Sequence, residues 1–119
     1  MPTRAARIVL VAPEGTEWVA PATAFFAARK HIVARLPSLS FASFAVLRGG
    51  VAALLIDARL LEAGSAAFIA QLQRALPRLR VVTIGAADMA ALQVLERGTH
   101  LGWPFAAGEL EAIFPVGSH

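Results

Sequence analysis

VAALLIDARLL, residues 51–61, is the segment of this sequence that says most about the fold. Its first six residues are apolar at consecutive positions, which is typical of a strand covered on both faces of a parallel sheet. The apolar run ends at Asp57, one of only eight acidic residues in the chain. In open parallel sheets, ligands and chemistry gather at the carboxyl ends of the strands. The segment therefore predicts an α/β sheet with Asp57 at its functional edge.

The rest of the chain alternates between strand and helix patterns. We predict strands over 7–12, 38–43, 51–57, 79–85 and 99–105, and helices over 21–36, 64–77, 87–98 and 106–114. Residues 44–50 fit a short helical turn, which we favour, or a hairpin around Gly49 and Gly50. This order predicts a doubly wound, parallel five-stranded sheet with helices on both faces, in which the second helix is short or missing.

Composition limits the class of protein. The 119 residues, 57% hydrophobic and 16% charged, predict one domain over 1–114, followed by a tail at 115–119. No apolar stretch reaches the roughly 18 residues that span a bilayer, so we expect no membrane segment. The chain has no cysteine, which excludes disulfides and thiolate ligands. His31 and His100 are far apart without a third ligand type near them, so no metal site is predicted.

The net charge of +3 does not by itself indicate a nucleic-acid partner. Binding to nucleic acid requires basic residues gathered on one face, together with aromatic platforms. The ten arginines are instead scattered along the sequence, and only Arg74, Arg78 and Arg80 cluster. These three lie near a predicted helix end, where cations suit the helix dipole. Nucleic-acid binding by this domain is therefore not predicted.

Four stretches together resemble the receiver domain of bacterial response regulators, the CheY-like family. They are RIVLVAPE (7–14), LLIDARL (54–60), VVTIGA (81–86) and ALQVLERG through WPFAAGELEAIF (91–114). The resemblance covers nearly the whole chain, at the level of pattern. It implies a flavodoxin-like fold and, because receivers have a cis peptide at this point, a cis bond between Trp103 and Pro104.

The resemblance also implies where phosphoryl chemistry would lie. Receivers hold Mg²⁺ with two acids after the first strand and phosphorylate an aspartate after the third, the position of Asp57. A hydroxyl after the fourth strand and a lysine before the proline contact the phosphoryl oxygens, because the transferred group carries spread negative charge. Here these supporting positions have lost their groups: they are occupied by Ala12 and Pro13 with Glu14 one residue further on, by Gly85, and by Trp103. We therefore expect Asp57 to be a vestigial phosphoacceptor, serving as a structural acid that caps the turn after its strand.

The expected function is that of an atypical receiver: a non-enzymatic regulatory module that acts through protein contact, without aspartyl phosphorylation and without a cofactor. The composition, rich in alanine and arginine, suggests a bacterial, cytoplasmic protein. We expect a protein partner or homodimerisation through the helix 87–98, strand 99–105 and helix 106–114. The interface residues proposed on this face are Leu101, Trp103 and Phe105.

Two alternatives remain open at this point. The first is a phosphorylatable receiver that uses Asp57 with a rearranged acid cluster built on Glu14. The loss of the lysine at Trp103 speaks against it. The second is a small flavodoxin-like ligand-binding domain, against which stands the absence of a glycine-rich phosphate loop.

Overall fold

The computed structural model describes residues 6–61, 65–85 and 99–114. The described strands are β1 (Arg7–Val11), β2 (Ile32–Leu36), β3 (Val51–Asp57), β4 (Arg80–Ile84) and β5 (Thr99–Leu101). The described helices are α1 (Val19–Ala27), α2 (Leu39–Leu47), α3 (Ser65–Ala75) and α4 (Ala107–Ile113), and a short 3₁₀ turn (Ala58–Leu60) follows β3. No helix within these ranges has the length and hydropathy needed to span a bilayer.

The strands form one sheet in the order β2-β1-β3-β4-β5, and every neighbouring pair is parallel. The register pairs Val11 with Ile56, and Asp57 with Ile84. The carboxyl ends of the central strands therefore lie side by side at one edge, which places Asp57 beside the ends of β1 and β4. The predicted doubly wound five-stranded sheet is confirmed.

Helices cover both faces of the sheet, which explains the apolar runs in the strands. On one face, residues such as Leu10 and Leu55 pack against Phe26 of α1 and Leu110 of α4. On the other face, residues such as Leu54 pack against α2 and α3. Successive strand residues point to opposite faces, so a strand buried on both sides is apolar at nearly every position.

The helix predicted over 21–36 is wrong in its second half. Helix α1 ends at Ala27, where the Phe26 carbonyl accepts from the backbone amides of Arg29 and His31. Lys30 then takes a left-handed conformation with φ of 63°, and residues 32–36 form β2 beside β1. The apolar spacing at 25, 28, 32 and 36 mimics a helix, but the β-branched residues at 32 and 33 favour the strand.

The strand predicted over 38–43 is also wrong, because these residues begin helix α2. Ser38 caps this helix, its Oγ accepting from the backbone amide of Phe41 at 3.4 Å. The preference for a helical conformation after residue 43 is confirmed as far as Leu47. The second helix is thus present, with nine residues, the same length as α1. The helix predicted over 87–98 and the tail at 115–119 lie outside the described residues.

Candidate functional site

A cavity of about 380 Å³ opens at the carboxyl edge of the sheet, between the loops that follow β1, β3, β4 and β5. Three of the positions singled out from the sequence, Asp57, Gly85 and Trp103, are brought together in its lining. The complete lining consists of Gly15, Thr16, Glu17, Trp18, Asp57, Arg59, Gly85 and Trp103.

Asp57 ends β3 and caps the 3₁₀ turn that follows it. Its Oδ1 accepts from the backbone amide of Arg59 at 2.8 Å, as expected for a structural acid at this position. The residue is only 3% exposed. A buried carboxylate is stable only when its oxygens are hydrogen-bonded or paired with a cation, so its other partners decide its chemistry.

The carboxylate of Asp57 is saturated by donors from its own chain. Besides the backbone amide, Oδ1 accepts from Arg59 Nε at 3.0 Å, and Oδ2 accepts from Arg59 Nη2 at 3.0 Å and from Trp18 Nε1 at 2.9 Å. Each oxygen thus receives two hydrogen bonds, which fills the roughly four lone-pair sites of a carboxylate. The Arg59 side chain is 64% exposed, so its guanidinium covers the buried acid on the solvent side.

Two opposing effects set the pKa of Asp57. Burial raises the pKa of the carboxyl group, but hydrogen bonds from the Arg59 side chain and backbone and from Trp18, with the charge of Arg59, outweigh it. The pKa is therefore lowered from its ordinary value of 3.8, and the carboxylate is ionised at neutral pH. The ion pair also raises the pKa of Arg59.

This lowered pKa predicts a pH-dependent share of the stability. A group whose pKa falls on folding stabilises the folded state above its unfolded pKa, and this stabilisation is lost as the pH falls through the folded value. We expect the difference in unfolding free energy between the wild type and Asp57→Asn to be constant from pH 7 to about 5. It should shrink as the pH falls below 3.8. Urea titrations at each pH measure it; a difference that persists unchanged to pH 3 contradicts the assignment.

Further polar contacts tie the surrounding loops together. Arg59 Nη2 also donates to Thr16 Oγ1 at 3.0 Å, and Thr16 Oγ1 donates to the Pro13 carbonyl at 2.7 Å. Trp103 Nε1 donates to Glu17 Oε2 at 3.3 Å, joining the loop after β5 to the loop after β1. The guanidinium of Arg59 is thus held by the Asp57 carboxylate at the end of β3 and by the Thr16 hydroxyl in the loop after β1.

The positions that matched the paired acids contribute no acid to the cavity. Ala12 is fully buried, Pro13 contributes its carbonyl to Thr16, and Glu14 is not part of the lining. The nearby acid is Glu17, which hydrogen-bonds Trp103. Among the described residues, no three His, Cys, Asp or Glu side chains come close enough together to hold a metal ion.

The positions at which receivers have a hydroxyl residue and a lysine are occupied by Gly85 and Trp103, which have other roles. Gly85 has a φ of 112°, a conformation that side-chain-bearing residues rarely adopt, so a hydroxyl residue there would be strained. The nearest hydroxyl on β4, Thr83 Oγ1, is buried and hydrogen-bonded to His100 Nδ1 at 2.8 Å. Trp103, after β5, is partly buried and lines the cavity, and its bond to Pro104 is cis, as expected.

The three residues proposed for an interface differ in their surroundings. Leu101 is only 6% exposed and belongs to the core beneath α1 and α4. Trp103 and Phe105 are partly buried and pack edge to face, with ring centroids 5.0 Å apart. Only the latter two therefore offer surface for a contact.

Sequence reasoning missed the two residues that hold Asp57. Arg59 was visible two positions after the acid, and at that distance a side chain can fold back onto a capped turn. Trp18 gave no signal, because its approach to Asp57 depends on how the loop after β1 crosses the end of β3. Its ring is 2% exposed and packs in the core, while its Nε1 reaches the carboxylate.

Comparison with known proteins places the fold. Neither protein-family models nor curated protein sequences give a match. Among solved structures, the signal receiver domain of an HD-domain-containing protein from Pseudomonas fluorescens Pf-5 matches with a TM-score of 0.78, at 15% identity, over 96% of this chain and 87% of that one. A CheY-like receiver domain from Methanospirillum hungatei JF-1 matches with 0.75, at 13% identity, over 93% and 91%. The beryllofluoride-activated NtrC4 receiver domain dimer matches with 0.72, at 16% identity, over 91% and 93%.

Proposed function

We propose that this chain, a receiver-like domain by fold, is a non-enzymatic signalling module that acts by protein contact without phosphorylation of Asp57. The similarity to receiver domains supports the signalling role. The state of Asp57 supports the absence of phosphoryl transfer and is the observation on which the proposal rests. Exposure to a small phosphodonor with Mg²⁺ tests it directly, and the modified mass is the readout.

Phosphoryl transfer to an aspartate needs a carboxylate oxygen that is free to attack and cations that face the transferred group. In this chain both oxygens of Asp57 already accept hydrogen bonds from Arg59 and Trp18. Arg59 provides the positive charge that a bound metal ion would otherwise supply next to the carboxylate. Its guanidinium therefore stabilises the ionised acid in a closed arrangement, which favours a structural role over a reactive one.

The alternative of a phosphorylatable receiver built on Asp57 and Glu14 has less support. Glu14 does not line the cavity, and a single additional carboxylate makes a poor magnesium site. Glu17, which does line the cavity, is hydrogen-bonded to the Trp103 indole. Binding of a small ligand in the cavity is the remaining alternative.

Contact with another protein is supported by apolar side chains that the fold leaves in solvent. On α2, three such residues lie at spacings of three, so they share one side of the helix: Phe41, Phe44 and Leu47. Phe44 is 71% exposed. Large exposed apolar patches in soluble proteins mark interaction sites. The surface of Trp103 and Phe105, predicted from the sequence, is the second candidate.

We expect the chain to form a homodimer, and single substitutions should identify the face. If α2 provides the contact, Phe44→Ser should raise the dimer dissociation constant at least about tenfold, because central aromatic residues dominate interface energies. Phe105→Ser is the matched variant for the face predicted from the sequence. Sedimentation velocity over a range of concentrations measures both. A wild type that stays monomeric at every concentration removes self-association from the proposal.

A further inference from the structure

We propose that a basic pocket at the opposite edge of the sheet, where the strands begin, binds a phosphate group. This inference is independent of the function proposed for the Asp57 edge. The pocket has a volume of about 350 Å³, within the size range of small-molecule sites. Its polar lining is formed by Arg29, Arg78, Arg80 and His31, and Phe114 is the partly buried aromatic residue beside them.

Two of the arginines are held in place by the end of the last helix. Arg29 Nη1 donates to the Phe114 carbonyl, and Arg80 Nη1 donates to the Ile113 carbonyl. The guanidinium carbon (Cζ) of Arg29 also lies over the Phe25 ring, 4.0 Å from the ring centre. A guanidinium has five N–H donors, so each keeps most of them for a ligand while its position is fixed. Such preorganisation lowers the entropy lost on binding.

The positive charge of this pocket has no acidic partner in the described part of the chain. The ion pair found there, Arg59 with Asp57, lies at the other edge of the sheet. The acids Glu14 and Glu17 also belong to that edge, because they follow β1, and Glu109 lies in the first turn of α4. Glu111, further along α4, is exposed and forms no ion pair with the pocket arginines. An uncompensated group of guanidiniums attracts an anion, and their fork geometry suits the oxygens of a phosphate.

Parallel topology concentrates further basic residues at this edge, although they are scattered in the sequence. The amino ends of the strands and the carboxyl ends of the helices lie at this edge. They carry Arg7, Lys30, Arg48 and Arg74. The helix dipole accounts for cations at helix ends such as Arg48 and Arg74. The dipole of α4 also favours Arg80, which lies on β4 but donates to the Ile113 carbonyl at the carboxyl end of that helix. The resulting field would steer an anion towards the pocket.

His31 adds a further donor to the lining. Its Nδ1 accepts from the Ala6 backbone amide at 3.1 Å, so the proton of the neutral ring is on Nε2. The polar side chains of the lining therefore present donors, and a ligand must supply acceptors. A phosphate monoester does so with two negative charges. The ring of Phe114, which is only partly buried, would suit a flat apolar group attached to that phosphate.

Titration calorimetry with inorganic phosphate, with AMP and with vesicles containing phosphatidic acid tests this inference and separates the sources of phosphate. We expect one of the three to bind with a dissociation constant below about 1 mM at low salt. Arg78→Glu should weaken that binding at least about tenfold, because it reverses one charge in the pocket. Amide shifts in NMR spectra should cluster at residues 6, 29–31, 52–53, 78–80 and 113–114.

Arg48→Glu is the matched control, since it makes the same charge change at the same edge but outside the pocket. It should weaken binding less than about threefold, the effect of a screened charge at a distance. Equal losses in the two variants would show diffuse attraction and overturn the pocket. Failure of all three probes to bind, or amide shifts clustered at residues 14–18 and 57–59, would also overturn it. None of these three outcomes bears on whether Asp57 takes up a phosphoryl group.

Discussion

Replacing Trp18 with alanine will lower the free energy of unfolding by about 3–5 kcal/mol, the range for removing a buried large aromatic side chain. Trp18 is 2% exposed and packs between the sheet and α1. Its Nε1 also donates to Asp57 at 2.9 Å. The alanine variant therefore leaves a cavity in the core and removes one donor from a buried carboxylate. Urea unfolding of both proteins at pH 7 measures the effect.

Trp18→Phe separates the two roles of this side chain. Phenylalanine keeps much of the ring volume but cannot donate to Asp57, so we expect a smaller loss, about 1–3 kcal/mol. The Asp57→Asn background serves as control, because the loss of the N–H should matter less where the acceptor is no longer charged. If Trp18→Ala destabilised the fold by less than 1 kcal/mol, the placement of this ring under Asp57 would be wrong.

The second large effect concerns reactivity: Asp57 will stay unmodified in the presence of excess phosphodonor and Mg²⁺. An attacking oxygen would first have to exchange a hydrogen bond from Arg59 or Trp18 for the metal ion. No second acid stands at Ala12 or Pro13 to help hold that ion. Trp103 offers an indole N–H, already donated to Glu17, where a receiver has an ammonium group. Each of these losses raises the barrier to transfer.

The Arg59→Ala variant tests how much of this resistance comes from the arginine. It exposes the Asp57 carboxylate to solvent but restores neither the acid pair nor the lysine. We therefore expect it to stay unmodified as well. Modification of this variant alone would identify Arg59 as the group that blocks an otherwise competent acceptor.

The strands buried on both faces could be predicted from the sequence, whereas the structure of residues 28–43 could not. The residues of β3 before Asp57 are all apolar, and those of β4 after Arg80 are apolar except for Thr83, which is the pattern of a strand covered on both faces. Strand β2 is an outermost strand of the sheet. Its residues are exposed or half-buried, and the spacing of the half-buried ones also fits a helix. Helix α2 is apolar on its exposed side as well as its buried side, so it shows no helical period.

At the Asp57 site and at the basic pocket, the sequence predicted the positions that depend on a single strand. It missed the contacts that depend on several elements coming together. Asp57 was placed correctly, because a strand end fixes its position. The contact with Trp18 depends on a loop 39 residues away in sequence. Similarly, Arg29 and Arg80 meet only because α1 ends and β4 begins at the same edge of the sheet. Basic residues that are far apart in the sequence can therefore lie close together in a parallel α/β fold.

Intact-mass spectrometry after incubation with acetyl phosphate and Mg²⁺ is the most direct test of the central claim that Asp57 is a structural acid. The wild type, Asp57→Asn and Arg59→Ala are incubated in parallel under identical conditions. We predict that the mass of the wild type will not change and that its spectrum will match that of the untreated protein. Addition of one phosphoryl group to the wild type, absent in Asp57→Asn, would contradict the account.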